Sequence, residues 1–294
     1  MGRQGIRTLV VVGVGLIGGS FALALKRAGL VERVIGVDRS ADNLRCAQEL
    51  GVVDVACDAL ALAAAEADLV LLATPVGQMA ACLSAMAPTL PPHALITDVG
   101  STKGNVVRIM RETLPDRLAR CVPAHPIAGS ELSGAAAAQY GLYENRDVVL
   151  TPMAETDPSA VETLAALWRA CGAHIAVLDP DEHDRVFAAV SHLPHLLAFS
   201  YVNLVADRDN AERCLDFAST GFRDFTRIAG SSPEMWRDVA LANRPALLAA
   251  LHDYRAELDR LIGEVEGEDG TALTNRFGRA RQVRTAWYQK FLRK

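Results

Sequence analysis

The segment AHPIAGSELSG, residues 124–134, puts His125 directly before a proline, ahead of a run of small residues that carries one acid, Glu131. A histidine in a stiff turn is offered to a ligand more readily than to a core. Its ordinary pKa lets it take or give a proton near neutrality, and a positioned base contributes about 10²- to 10⁴-fold to a rate. Upstream, DVGSTKG places Ser101 at the end of an apolar run. A hydroxyl there can orient an imidazole or cap the helix that follows. A structural turn for His125 and a helix cap alone for Ser101 are the competing readings.

A second constellation lies near the N-terminus. VVVGVGLIGGS contains Gly13, Gly15, Leu16, Ile17 and Gly18 in the spacing GxGxxG, closing an apolar run and opening a helical one. Asp38 follows Gly18 by twenty residues, at the end of the next β-branched run. In that context the pattern is a dinucleotide fingerprint. Gly13 permits a tight turn, Gly15 lets a pyrophosphate approach the backbone, and Gly18 lets the helix pack on the sheet. The helix N-terminus supplies N–H groups to the phosphates. Asp38 is expected to accept from ribose hydroxyls and to repel a 2′-phosphate, which favours NAD over NADP. Arg39, its neighbour, is the residue that would meet such a phosphate. Thr74 and Pro75 in LLATP end another strand, where a turn beside the cofactor is expected.

The elements needed to hold these residues are legible in outline. Up to about residue 177, RTLVVVG, RVIGVD, ADLVLLATP, HALITDVG, RCVPAHP, DVVLTP and AHIAVLD alternate with alanine-rich helical stretches. Continuous apolar strands are buried on both faces, which predicts a parallel sheet between helices. After Asp179 the pattern is helical throughout, with starts at DPDEHD, SSPEMW and NRPALL. Asp181, Glu182 and Asp184 are taken as the acidic first turn of a helix. The predicted fold is therefore α/β: a Rossmann-like dinucleotide-binding domain over residues 1–178, then an all-α domain over 179–294. Leu247, Leu248, Leu251, Leu258, Leu261 and Ile262 exceed what a lone surface helix needs, and predict a dimer.

Composition narrows the class. The chain has 294 residues, half of them hydrophobic, and a net charge of −5, which argues against a nucleic-acid partner. Its six cysteines form no CxxC pair and fit a reducing, cytoplasmic setting. No signal peptide is visible, and LVVVGVGLIGG is too short to span a membrane. His192 and His195 are three apart but separated by Pro194 and lack a third partner, so no metal is expected. His93, His174, His183 and His252 carry no readable signal.

Taken together, GVGLIGGS, DVGSTKG, HPIAGSELSG, SHLPH and GFRDFTRIAGSSPEMWRDVALANR resemble the prephenate/arogenate dehydrogenases of tyrosine biosynthesis, over about residues 7–290. The resemblance implies a Rossmann-like domain followed by a helical dimerisation domain. It implies His125 as the catalytic histidine and Ser101 as the serine that hydrogen-bonds it. Glu131 matches an acid that gates the site, and Ser191 and His195 match residues lining the substrate pocket. Arg227 matches the arginine that holds a substrate carboxylate, with Arg223 and Asp224 close by. A structural Asp224–Arg227 pair is the competing reading of that arginine.

The implied activity is NAD-dependent oxidative decarboxylation of prephenate, with arogenate or both as the alternative substrate and tyrosine as a candidate inhibitor. With no regulatory domain expected after the helices, such inhibition would act at or near the active site. Two remoter readings are a β-hydroxyacid dehydrogenase and a non-enzymatic NAD-sensing module. The first uses a lysine base on an interdomain helix, whereas here no lysine follows Asp179 until Lys290.

Overall fold

The computed structural model describes residues 6–130 and 132–291. The chain begins with β1 (Ile6–Val12), α1 (Leu16–Arg27), β2 (Val31–Val37), α2 (Ala41–Glu49), β3 (Val55–Cys57) and α3 (Leu60–Ala64). It continues with β4 (Leu69–Leu72), α4 (Met79–Met86), β5 (Leu95–Asp98), α5 (Gly104–Thr113) and β6 (Cys121–Val122). These strands form one parallel sheet in the order β3-β2-β1-β4-β5-β6. Side chains alternate across it. Leu9 and Val11 of β1 face a core with Phe21 and Trp168, while Val10 and Val12 face another with Met79, Leu83 and Met110. Both faces are dry, which is why the strands read as unbroken apolar runs. Strand order reverses between β1 and β4, and open α/β sheets bind ligands outside the strand ends at such a point.

Next come β7 (Ala124–Pro126), β8 (Asp147–Leu150), α6 (Pro158–Ala170) and β9 (His174–Val177), whose strands make a second, mixed sheet. β7 pairs antiparallel with β8, and β8 parallel with β9. Two details differ from the sequence reading. RCVPAHP predicts one strand, but it is divided at Pro123, which has no N–H for a ladder. Cys121 and Val122 close the first sheet, and Ala124 to Pro126 open the second. β3, only three residues long, is too short for its pattern to mark it as a strand.

From Pro180 onward the described chain is helical: α7 (Pro180–Phe187), a π-helical turn (Ala188–His192), α8 (Leu193–Ala206), α9 (Ala211–Asp216), α10 (Thr220–Thr226), α11 (Pro233–Ala242), α12 (Arg244–Glu266) and α13 (Gly270–Phe291). Asp179 caps α7 by accepting from the N–H groups of Asp181 and Glu182, with Pro180 in the first position. The run Pro180–Ala206 is long and apolar enough to cross a membrane by length and composition alone. It also carries His183, Asp184 and His192, buried and hydrogen-bonded, as a helix packed into a protein does. By compactness the chain divides into a unit ending at Arg244 and a hairpin, Pro245–Lys294. Within the hairpin, Arg276 of α13 pairs with Glu257 and Glu264 of α12.

Candidate active site

The glycine turn between β1 and α1 has the shape its spacing requires. Gly13 has φ +92°, and a Cβ there would fall 2.6 Å from the Ala73 carbonyl oxygen, so only glycine fits. A Cβ on Gly18 would fall 2.6 Å from the Gly13 oxygen and 2.8 Å from Val11 Cγ1, which shows how closely α1 lies on β1. A Cβ on Gly15 would meet nothing within 4 Å. No side chain caps α1 there, so the first-turn N–H groups, those of Leu16 and Ile17 among them, are free for an anion. This open, glycine-lined helix start fits a dinucleotide pyrophosphate. Thr74 and Pro75 follow β4 on the other side of the crevice, with the Thr74 nitrogen 3.0 Å from the Cβ position of Gly13.

Asp38, half-buried at the end of β2, accepts from the N–H groups of Val14 at 3.1 Å and Ser40 at 3.0 Å, and from Asn43 Nδ2 at 3.0 Å. Arg39 beside it is exposed.

The second constellation is assembled from four elements. His125 lies in β7 and is buried, not in an exposed turn as its sequence context predicts. Its Nδ1 is 2.9 Å from Nε2 of His183 on α7, and His183 Nδ1 is 2.9 Å from Asp184 Oδ1. Asp184 also accepts from the N–H groups of Lys103 at 2.7 Å and Gly104 at 2.8 Å. The carboxylate thus caps α5 across 80 residues of sequence, a task the sequence reading gives to Ser101. The helix begins two residues later than expected, and the acid read as a helix dipole partner of α7 serves a different helix. No Ser101–His125 hydrogen bond is present among the described residues.

Below the histidine, Lys103 and Asp98 form an ion pair with no exposed side-chain surface. Lys103 Nζ donates to the Ala124 carbonyl at 2.6 Å, and Asp98 Oδ1 accepts from the Ala124 N–H at 3.1 Å. The residue before His125 is therefore clamped at both of its backbone polar groups. Phe187 walls both imidazoles, 4.7 Å from the His125 ring and 4.4 Å from that of His183.

Protonation follows from these contacts. Burial raises the Asp184 carboxyl pKa, but the hydrogen bonds from His183, Lys103 and Gly104 outweigh it and hold it below the usual range. An ionised Asp184 requires His183 Nδ1 to donate. Burial holds His183 below its ordinary pKa, against the pull of Asp184, so Nε2 is bare and accepts from His125 Nδ1–H. Burial first, then repulsion from His183 once it too takes up a proton, and from Lys103, holds His125 well below 6.5. The chain of donors leaves His125 neutral with Nε2 as its free acceptor.

The remaining candidates lie on the helices. His195 donates from Nδ1 to the Ser191 carbonyl at 2.8 Å and stacks on Trp236 with centroids 3.7 Å apart. Ser191 sits in the π-helical turn, an irregularity frequent at functional sites. Burial pushes the His192 pKa down to about 4, and its Nδ1 lies 3.0 Å from Asn243 Nδ2. Arg227 is exposed. Its charge helps to lower the His195 pKa, after burial. Asp224 pairs with Arg223 at 2.9 Å, and not with Arg227, so the structural pair weighed from sequence is absent among the described residues. Glu131 lies outside the described residues. No group of three metal-ligating side chains occurs among them.

Sequence reasoning missed His183, Asp184, Lys103, Asp98 and Trp236 as parts of this cluster. Asp98 and Lys103 stand inside the same DVGSTKG stretch as Ser101, and their spacing across one strand end is the signal that was available.

A glycine cradle at a sheet switch point, with a neutral, oriented histidine on β7 of the second sheet, defines a dinucleotide-dependent oxidoreductase. Models of the prephenate dehydrogenase nucleotide-binding domain and dimerization domain match residues 21–177 and 179–279. The prephenate dehydrogenase of Bacillus subtilis (strain 168) is 42% identical over 279 residues, 94% of this chain and 75% of that protein. The cyclohexadienyl dehydrogenase of Zymomonas mobilis is 35% identical, covering 95% of each. The crystal structure of Aquifex aeolicus prephenate dehydrogenase with hydroxyphenyl propionate and NAD+ superposes with a TM-score of 0.90, at 33% identity, over 95% of this chain and 97% of that one. The chain belongs to the prephenate dehydrogenase family.

Proposed function

We propose that this protein oxidises prephenate to 4-hydroxyphenylpyruvate and CO₂ with NAD as hydride acceptor. The observation that carries the reading is the His125–His183–Asp184 line, which leaves one imidazole nitrogen of His125 bare. Prephenate is a cyclohexadienol with one carboxylate on the ring and another on its pyruvyl side chain. Bound NAD supplies the oxidising power by accepting the carbinol hydrogen as hydride. His125 Nε2 takes the hydroxyl proton as that hydride leaves. The ring carboxylate is then lost as CO₂. Its bonding pair passes through the ring to the former carbinol oxygen, and aromaticity drives the step. The resulting phenolate recovers a proton from His125, which returns the base to its starting state.

The other residues bind and orient. Arg227, without an ion-pair partner among the described residues and close enough to affect His195, suits a substrate carboxylate. His195, held flat on Trp236, and Ser191 line the same pocket in this reading, with Arg223 at its margin, and the family resemblance gives Glu131 a gating role. Ser101 acts through the backbone around the α5 start, while His183 holds the tautomer of His125. Lys103 and Asp98 fix the backbone before it. Gly13, Gly15, Leu16, Ile17 and Gly18 take the pyrophosphate, Thr74 and Pro75 bound the crevice, and Asp38 reads the ribose. Asp38 favours NAD over NADP, with Arg39 the residue that admits some NADP.

We divide the chain functionally into a cofactor domain, residues 1–178, and a substrate and dimerisation domain, residues 179–294. Exposed apolar side chains support a homodimer: Tyr201, Leu204, Phe217 and Phe225 in the larger unit, and Leu258, Ile262, Phe277 and Trp287 in the hairpin. We place the enzyme in the cytoplasm, in keeping with its six unpaired cysteines. Tyrosine, a product analogue, would inhibit by occupying the substrate pocket. An NADH assay with prephenate and arogenate on one preparation tests the central assignment. Turnover of neither would remove it.

A further inference from the structure

Asn43, in the first turn of α2, has a carboxamide that joins three segments. Its Nδ2 donates to the Val14 carbonyl at 2.8 Å, inside the glycine turn, and to Asp38 Oδ2 at 3.0 Å. Its Oδ1 accepts from the Ala135 N–H at 2.7 Å. Ala135 opens the short 3₁₀ turn Ala135–Ala137, at the far end of the segment that begins with His125. The near end is pinned separately, by Ile127 N–H to the Asp147 carbonyl at 2.8 Å.

The amide satisfies all three contacts in one orientation only. Reversed, its oxygen would face a carboxylate and a carbonyl, and its NH₂ would face a backbone N–H. Two further features bring the side chain to this place. The Asn43 N–H donates to Ser40 Oγ at 3.1 Å. Gly134 has φ +79°, and a Cβ there would stand 3.2 Å from Asn43 Oδ1, so glycine lets the backbone come this close. Asp38 meanwhile has three of its roughly four acceptor positions filled, one of them by Asn43. The residue therefore sets which face of Asp38 is left for a ribose hydroxyl.

The geometry points to Asn43 as a positioning residue that couples the ribose-reading acid to the segment after His125, so that cofactor binding orders that segment. This rests on the dinucleotide reading of Asp38, and on nothing in the choice of substrate. An aspartate at this position would keep an acceptor for Ala135 but lose both donors and set a second carboxylate against Asp38. An alanine would lose all three contacts.

The test measures NAD affinity by calorimetry on the full-length protein, together with hydrogen–deuterium exchange of peptides spanning residues 132–138, with and without NAD. In the wild type, NAD should slow exchange there. Asn43→Ala should bind NAD about tenfold more weakly, the order expected for one charge-assisted hydrogen bond, and NAD should no longer slow exchange in the segment. Asn43→Asp should lose comparable NAD affinity yet keep the slow exchange of Ala135 in the absence of NAD. The inference is overturned if Asn43→Ala binds NAD within twofold of wild type, or if NAD protects the segment equally in that variant. A wild-type protein that does not bind NAD would instead remove the dinucleotide reading itself.

Discussion

His125 Nδ1 and His183 Nε2 stand 2.9 Å apart across 58 residues of sequence, and the anchoring of His183 to Asp184 makes His125 the donor in that contact. The bond fixes the tautomer and so decides which nitrogen can act as a base. Burial, with His183 and Lys103 nearby, holds the His125 pKa well below 6.5. Protonation abolishes the base, so the acid limb of kcat/KM should fall below pH 6.5, with a plateau through neutrality. This differs from the sequence expectation of a group titrating near neutrality. His183→Phe removes a neighbour that becomes positive only in acid, and the acceptor for Nδ1–H. It should move the acid limb upward and lower kcat about tenfold. An unchanged limb and rate would show His183 to be packing alone.

Arg227→Ala should raise KM for prephenate roughly ten- to a hundredfold, the effect of losing a charge-assisted contact worth about 1.5–3 kcal/mol. Arg223→Ala breaks only the exposed pair with Asp224 and should leave stability nearly unchanged. Steady-state kinetics and thermal denaturation of both variants check this. A stability loss in Arg227→Ala with KM unmoved would make that arginine structural.

Three buried histidines also set the response of the fold to acid. His125, His183 and His192 are all held below 6.5, chiefly by burial. Below that pH the unfolded chain binds protons that the folded chain refuses. Their contribution is therefore intact above pH 6.5 and lost as pH falls. For His192, displaced from 6.5 to about 4, the loss by about pH 4 is roughly 3 kcal/mol. Urea midpoints should decline from pH 7 to 4.5, and less steeply in His192→Gln. Equal slopes would mean that His192 is accessible to protons when folded.

What could be read from sequence was what adjacency encodes. Gly13 to Gly18 and Asp38 lie on one strand–turn–helix–strand unit, where spacing translates directly into shape. The helical character after Asp179 followed from composition and capping in the same way. What escaped was long-range. Asp184 looks like a helix-start acid because only its own helix is visible in the sequence, whereas packing turns it toward the N-terminus of α5. His183 gains meaning only once α7 is laid against β7. RCVPAHP reads as one strand because the pattern is apolar throughout, and the change of sheet at Pro123 depends on which partner each half finds. Asn43 is a polar residue on an amphipathic helix until Val14, Asp38 and Ala135 converge on it.

Cofactor choice tests the reading of Asp38. Asp38→Ser removes the charge that opposes a 2′-phosphate and leaves the exposed Arg39 to meet one. The ratio of kcat/KM for NADP to that for NAD should rise at least tenfold. A wild-type enzyme that already prefers NADP would show Arg39 to be the stronger determinant.

The most direct measurement follows NADH formation by the wild type and by His125→Asn, with prephenate and arogenate side by side. Ser191, His195, Arg223 and Arg227 are neutral or cationic, which suits a keto acid with two carboxylates and penalises the buried ammonium of arogenate. The wild type should therefore show the higher kcat/KM with prephenate. His125→Asn should bind NAD normally and lose roughly 10² or more in kcat, with little change in KM. A variant that keeps the wild-type kcat, or a wild type that turns over arogenate in clear preference, would contradict the account.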